Sequence, residues 1–167
     1  MFSFEMKSGM VLDVLNQVEG TLDNPNPMLA DMGEYLTSST QERFRTSTAP
    51  DGSIWQANTQ TTYLKILGKS HSDEEGKLNA KGVNRVSSKR PNVLSGNLMN
   101  SIHYQISGDL LLVGSNMIYA ATQQFGAKKG EFGNGAPWGD IPAREYLGIS
   151  VADEAELYAI AEDHLLP

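Results

Sequence analysis

The sequence predicts an α+β fold in which a small antiparallel sheet, built on a β-hairpin, packs against two or three amphipathic helices. Apolar residues recur at helical spacing near both ends of the chain. Apolar and polar residues alternate from residue 102 to 106, before a turn and a returning apolar run. Two long polar or glycine-rich stretches, residues 68–92 and 126–140, interrupt these patterns and are predicted as mobile loops.

The composition is that of one ordinary globular domain, and we predict a single domain over residues 1–167. Apolar residues make up 40% of the chain and charged residues 20%, so a buried core is expected. Because the chain contains no cysteine, disulfides, thiolate zinc sites, iron–sulfur clusters and cysteine nucleophiles are excluded. Neither a secretion signal nor a membrane span is visible in the apolar pattern, so we expect no membrane partner.

Two amphipathic helices are predicted in the first 45 residues, after a short alternating stretch at residues 2–6 that favours a strand. Pro25 ends the first helix, and Asn26 as a cap with Pro27 in the first helical position can start the second, which runs to about Arg45. The apolar positions of the first helix are Val11, Val14, Leu15, Val18 and Leu22. Those of the second are Leu29, Met32, Leu36 and Phe44. Each helix therefore has one face to bury.

A turn and an aromatic anchor follow the second helix. Ala49-Pro50-Asp51-Gly52 is a turn sequence with proline and glycine at favoured positions. Trp55 is expected to fold back on a neighbouring helix rather than to stack on a ligand, because an indole left in water is costly. Residues 62–67 can form one or two helical turns.

A β-hairpin is predicted after a short helix at residues 95–100. Ile102, Tyr104 and Ile106 form one apolar row, Ser107-Gly108-Asp109 turns the chain, and residues 110–114 return. The return strand is apolar on both faces, so one face needs the helices and the other needs a further layer. Either a neighbouring subunit or another helix of the same chain could supply that layer.

Two more helices are predicted beyond the hairpin. The first covers residues 117–125 and ends at Gly126, and residues 141–144 then read as extended chain. The second covers residues 150–165, with Asp153 as its cap and Glu156 three residues later. Between them lies the glycine-rich stretch that contains Trp138.

Local motifs for chemistry are missing from the sequence. Gly68-Lys69-Ser70 ends like a phosphate-binding loop, but that motif needs a glycine where the chain has Tyr63. The three histidines are scattered at positions without a second ligand nearby, and no nucleophile elbow occurs. We therefore expect no catalytic residues, no cofactor and no metal. The glycine-rich stretch with Lys128 and Lys129 could cradle an anion, or it could become ordered on a partner with Trp138 as the hot spot.

Charge is segregated along the chain. Residues 63–90 carry seven basic and three acidic groups, which gives a net charge of +4. Residues 140–167 carry one basic and seven acidic groups, which gives a net charge of −6. The net charge of −7 disfavours DNA binding by most of the surface. Opposite-sign segments suit contacts between copies of the chain or with an assembly partner, and a solvated loop is the ordinary alternative.

Four blocks of residues follow one another along the chain. They are Arg43-Phe44 with Pro50-Asp51-Gly52 and Trp55; Leu94-Ser95-Gly96-Asn97-Leu98 with Ser101-Ile102; Val113-Gly114-Ser115 with Tyr119-Ala120 and Gln124-Phe125-Gly126; and Ile141-Pro142-Ala143-Arg144 with Tyr146-Leu147-Gly148. In this order the blocks resemble the phage virion morphogenesis family, the tail-completion and neck proteins of Mu-like and related tailed phages. The family often has His where this chain has Gln123, and Pro-Phe where it has Glu145-Tyr146.

The resemblance implies a structural protein of tailed-phage assembly that acts in tail completion or head–tail joining as a ring-forming subunit, in the virion after assembly in the host cytoplasm. Its partners would be copies of itself and other head–neck or tail proteins, with DNA passing through the ring without specific binding. A tail terminator is the alternative within the same assembly. From other classes, a small hydrolase or a nucleic-acid adaptor that uses residues 65–90 remains open.

The matched residues are expected to act first as determinants of the fold. Glycines would serve turn geometry, namely Gly52 beside Asp51, and Gly96, Gly114, Gly126 and Gly148. Aromatic and aliphatic residues would pack the hairpin against the helices, namely Trp55, Tyr119, Phe125 and Leu147. Arg144 offers a rigid guanidinium to a carboxylate within the chain or, slightly favoured, across a subunit boundary. In a ring, carboxylates of the N-terminal or C-terminal helix would face the DNA channel.

Overall fold

The computed structural model describes residues 9–58, 63–64, 67, 69–73, 75, 77–86, 91, 95–131 and 140–166. These ranges contain six α-helices, one 3-10 turn and a two-stranded hairpin sheet, so the predicted α+β class is confirmed. In chain order the elements are α1 (Gly9–Asp23), α2 (Asn26–Thr46), the 3-10 turn (Lys69–His71), α3 (Ala80–Val86), α4 (Asn97–Asn100), β1 (Ile102–Ser107), β2 (Leu110–Ser115), α5 (Ala120–Phe125) and α6 (Val151–Leu165).

Some predicted features fall on residues outside the described ranges. The strand signal at residues 2–6 is one of them, and so are Leu94 and Trp138. Part of the stretch 68–92, which was predicted as a loop, is helical: it contains the 3-10 turn and α3. The mobility of both loops stays a prediction.

Internal contacts group the chain into two compact units. The first unit comprises Met1–Ser38, His103–Val113 and Ile149–Pro167, and the second comprises Ser39–Ile102 and Gly114–Gly148. Helix α2 and the hairpin thus contribute residues to both units. The prediction of a single domain over residues 1–167 stays a prediction.

In the first unit, the hairpin packs on α2 at a glycine. A Cβ atom on the buried Gly33 would lie 2.5 Å from the ring of Tyr104 and 3.0 Å from the side chain of Leu111. Any larger residue would therefore push the hairpin away from the helix, since real Cβ contacts are not this short. The half-buried Leu29, Met32 and Leu36 belong to the predicted apolar stripe of α2.

Helix α6 contacts α1 in the same unit, and polar groups tie both to α2. The hydroxyl of Thr21 donates to the backbone oxygen of His164 at 3.1 Å. The imidazole of His164 lies 2.8 Å from a carboxylate oxygen of Asp31. The C-terminal end of α6 is thereby held beside both N-terminal helices.

The cap of α6 differs from the predicted one. Ser150 is the N-cap: its side chain accepts from the backbone N–H of Asp153 at 3.1 Å, and the Asp153 carboxylate accepts from the backbone N–H of Ser150 at 2.7 Å. Asp153 therefore occupies the third helical position of a capping box rather than the cap itself. The prediction of Asp153 as the cap was wrong by three residues because Ser150 supplies the same oxygen chemistry.

The apolar row on the outer side of the return strand is largely uncovered in the described part of the chain. Leu110 is 56% exposed and Leu112 is 49% exposed. The alternate residues Leu111 and Val113, whose side chains lie on the other face of the strand, are half-buried. The alternation agrees with a strand whose two faces are both apolar and of which one face is packed. None of the helices in the described ranges is long and apolar enough to cross a membrane.

The core of the second unit is aromatic. Phe44 is fully buried and Tyr146 is 1% exposed, and their ring centroids lie 5.1 Å apart. Trp55 meets Phe44 edge-on at 5.3 Å. Such aromatic pairs each contribute about 0.5–1.5 kcal/mol beyond the burial of apolar area. The prediction that Trp55 folds back on a helix is confirmed.

Candidate functional site: the 141–148 segment and its anchors

The 141–148 segment crosses the second unit with almost no regular structure. A single β-bridge joins Ile141 to Ala127, with backbone bonds of 2.9 and 2.7 Å. Buried backbone groups outside helices and sheets still need hydrogen-bond partners. Side chains from α2, from the loop after α2 and from α5 supply these partners here.

Gln124 of α5 acts as the first anchor. Its Oε1 accepts from the backbone N–H groups of Tyr146 and Leu147 at 2.9 and 3.0 Å, and its Nε2 donates to the oxygen of Leu147 at 3.0 Å. One amide side chain thus replaces a strand partner for two consecutive residues. Gln124 is 8% exposed, so this pairing takes place away from water.

Arg43 of α2 is the second anchor. Its Nη1 donates to the backbone oxygens of Tyr146 and Gly148 at 2.9 and 2.8 Å. Because the guanidinium is rigid and always charged, it fixes two carbonyls in one orientation. Arg43 is 6% exposed, and its neighbour Phe44 fills the aromatic core.

Arg144 and Trp55 join the segment to the loop after α2. The Nε of Arg144 donates to the backbone oxygen of Gln56 at 2.9 Å, and its Nη2 donates to Oδ1 of Asn58 at 3.2 Å. The indole N–H of Trp55 donates to the oxygen of Glu145 at 2.9 Å. Arg144 is 6% exposed, and among the described residues its side chain donates only to these two neutral oxygens, not to the expected carboxylate. These bonds support the expected role within the chain, and a contact of Arg144 across a subunit boundary stays a prediction.

Position 126 requires a glycine because its backbone lies very close to the backbone of the 141–148 segment. Its φ is +74°, and a Cβ there would lie 2.7 Å from the oxygen of Ile141 and 2.8 Å from the nitrogen of Ala143. Backbone atoms cannot yield as flexible side chains do, so only glycine fits. Gly148, at the far end, has a φ of +152°, and a Cβ there would lie 2.7 Å from the side-chain ring of Pro50.

Burial shifts the ionisation of two groups in this segment. It lowers the pKa of Arg144 below its ordinary range, since the charged form loses solvation. Burial also raises the pKa of Tyr146 above its ordinary 10.0, with the nearby Tyr119 adding to the shift. The phenol donates to the oxygen of Ala120 at 3.1 Å, so its neutral form is the one that the fold uses.

A polar recess opens beside the turn at residues 49–52. It has a volume of about 290 Å³ and is lined by Asp51, Ser53, Trp55 and Glu145, among others. Asp51 accepts from the backbone N–H of Ser53 at 2.9 Å, and hydrogen bonds from the Ser53 side chain and backbone lower the pKa of Asp51. In the described ranges, no group of three or more acidic, histidine or cysteine side chains could hold a metal ion.

The structure brings most of the predicted site residues into the second unit, but not all of them pack. Phe125 is 77% exposed, so the expectation that it packs the hairpin against helices was wrong, whereas Tyr119 is 40% exposed and its packing role stays a prediction. Gly114 lies inside β2 without a positive φ, so it serves no turn, unlike Gly52 and Gly96 with φ of +83° and +74°. Ser101 joins α4 to the end of β2 through a 2.6 Å hydroxyl contact with Ser115.

The remaining matched positions are accounted for by the 141–148 segment itself. Pro142 and Leu147 are half-buried in it, and Leu147 bonds through its backbone to Gln124. The anchoring roles of Arg43 and Gln124 were missed from the sequence. A charged residue directly before Phe44, in the apolar stripe of α2, was the available signal for Arg43.

Fold and site together define a small α+β protein in which side chains of three elements hold an irregular segment. The chain belongs to the phage virion morphogenesis family, whose sequence profile matches residues 7–166. It is also similar to the Mu-like prophage FluMu G protein 2 of Haemophilus influenzae, with 38% identity over 74 residues, or 44% of this chain and 51% of that protein. The match thus spans about half the length of this relative. No solved structure matches the chain significantly.

The residues that hold the 141–148 segment belong to the sequence blocks that resemble the family. The first block supplies Arg43 and Trp55, the third supplies Gln124 and Gly126, and the fourth is the segment itself, from Ile141 to Gly148. Residues far apart in the sequence thus meet at one place in the second unit. The chain is accordingly a protein of phage virion morphogenesis, and its resemblance to that family is confirmed.

Proposed function

We propose that this protein completes the phage tail or joins it to the DNA-filled head as a subunit of a ring, and that it acts by protein contacts alone. The family match over residues 7–166 supports an assembly role. The relative from a Mu-like prophage points to the same kind of particle.

Exposed apolar side chains carry this proposal. In the second unit Ile118 is 98% exposed and Phe125 is 77% exposed, and in the first unit the outer row of β2 has Leu110 and Leu112 about half exposed. Fully burying a side chain of this size contributes about 1.5–3 kcal/mol. Large apolar groups left in water on each unit favour further layers of protein, as expected for a subunit with neighbours.

Charge supports the passage of DNA through such a ring. The exposed Asp13, Glu19 and Asp23 lie on α1, and they would line the channel as an acidic wall. Like charges repel the phosphate backbone and prevent it from adhering to the wall. DNA would thus pass without a specific binding site.

Complementation of a phage that lacks this gene tests the proposal. The wild-type chain should restore complete tailed particles, counted by electron microscopy. Leu112→Glu should reduce their number while leaving the free energy of unfolding within about 0.5 kcal/mol of wild type, because an exposed position is changed. Asn100→Asp, an exposed change of charge on α4 outside the hairpin, serves as the control. Normal particles from the deletion phage would refute the assembly role.

A further inference from the structure

An apolar groove in the first unit has no partner within the described part of that unit. It lies between α2 and α6, has a volume of about 580 Å³, and is lined by Met32, Ile149, Glu154, Leu157, Tyr158 and Ala161. Tyr158 is 70% exposed and Ile149 is 61% exposed. The capping box and the tie between His164 and Asp31 hold α6 in place, so the groove is formed on a fixed surface.

Two carboxylates flank the exposed ring on the groove. Glu154 and Glu162 lie four residues before and four residues after Tyr158, so one helical turn separates each of them from the ring. Both are exposed, and within the described ranges neither forms an ion pair. The groove therefore presents an aromatic surface between two negative charges.

Helix α3 in the second unit carries the opposite pattern. Lys81 and Arg85 lie four residues apart, on one side of the helix, and both are exposed. The buried Gly82 seats α3 on the 3-10 turn, since a Cβ there would lie 2.7 Å from the oxygen of His71. Contact with the 3-10 turn through Gly82 thus holds the helix in place, while the two basic side chains remain exposed to solvent.

We propose that α3 of one copy docks on the α6 groove of a second copy. The aliphatic stems of Lys81 and Arg85 cover Tyr158, and their cationic ends reach Glu154 and Glu162 on either side. Long basic side chains commonly cover apolar surface in this way, and a cation over an aromatic face is attracted to it. The contact is head-to-tail, because it joins two different surfaces, and contacts of this type can close into a ring. The inference therefore rests on the proposed function as a ring subunit.

Charge complementarity favours a second copy over other occupants. Residues 63–90, which include α3, have a net charge of +4, and residues 140–167, which include α6, have −6, so the chain carries both halves of the contact. Nucleic acid would be repelled by Glu154 and Glu162. The exposed ion pairs set the orientation of the contact more than its affinity. The affinity comes from covering the ring of Tyr158 and the apolar groove.

Charge reversal on each surface tests the contact. The groove variant Glu154→Lys/Glu162→Lys and the helix variant Lys81→Glu/Arg85→Glu should each weaken self-association by at least about tenfold, measured by sedimentation, because like charges meet across the contact. An equimolar mixture of the two variants should associate again, since each surface then finds an opposite charge on the other variant. Added salt should weaken the wild-type contact.

Matched controls use exposed charges elsewhere. Asp109→Lys at the hairpin turn and Lys128→Glu/Lys129→Glu before the glycine-rich stretch should leave association unchanged. Association that survives both reversals, or a mixture that stays dissociated, overturns the inference while the assembly role still stands on complementation. A wild-type chain that is monomeric also overturns it. Failed complementation with intact charge-dependent association refutes the proposed function alone.

Discussion

Replacing Gln124 by alanine tests whether side chains really hold the 141–148 segment. The substitution removes three hydrogen bonds, to the N–H groups of Tyr146 and Leu147 and to the oxygen of Leu147. Each neutral bond contributes about 0.5–1.5 kcal/mol, and the groups left buried cannot recover water as partners, so the free energy of unfolding should fall by about 3 kcal/mol. In a chain of this size that loss lowers the melting temperature by about 6–12 °C.

Gln123→Ala is the matched control, because it changes the same residue type in the same helix. The side chain of Gln123 has no hydrogen bond in the described structure, while its backbone oxygen accepts from Arg144 N–H at 2.8 Å in both variants. Both variants gain the same helix propensity, so the difference between them isolates the anchor. Urea unfolding followed by tryptophan fluorescence gives both values. Equal stabilities, or a difference below about 1 kcal/mol, would refute the anchoring argument.

Three further outcomes follow from the same network. Gly126→Ala should cost more than about 2 kcal/mol in urea unfolding because of its positive φ and close backbone approach, and Gly114→Ala should stay within about 0.5 kcal/mol; equal costs would contradict this. Arg144→Ala should lower stability by about 3 kcal/mol, as two buried charge-assisted bonds are lost, and a loss of association with unchanged melting would instead place Arg144 at a subunit boundary. The raised pKa of Tyr146 gives stability that is full below the unfolded-state value of 10.0 and is lost as pH rises through the folded-state pKa; Tyr146→Phe should lack this loss in alkaline unfolding curves, and superimposable profiles would be inconsistent with it.

Elements with a strong local pattern could be predicted from the sequence. Helix α2 spans Asn26–Thr46, within one residue of the predicted start at Pro27 and the predicted end near Arg45, and the hairpin turns where Ser107-Gly108-Asp109 places it. These features depend on side-chain periodicity and turn chemistry, which act over a few residues. The cap of α6 was misplaced because Ser150 and Asp153 both carry suitable oxygens and only the backbone geometry selects one.

Exposure could not be predicted in the same way. Phe125 follows Gln124 directly, yet one is 77% exposed and the other is 8% exposed. Hydrophobicity alone would reverse that order. The polar side chain is buried because the backbone of the 141–148 segment needs its amide, and that need arises only once the chain has folded.

The sequence by itself determined the helices other than α3, the hairpin, the segregated charge and membership of a phage assembly family, because each depends on residue type and spacing. Only the tertiary structure decided that Arg43, Gln124 and Arg144 hold one irregular segment together. The physical reason is that the 141–148 backbone lacks the partners of a helix or sheet, so its hydrogen bonds come from residues up to 105 positions away in the chain.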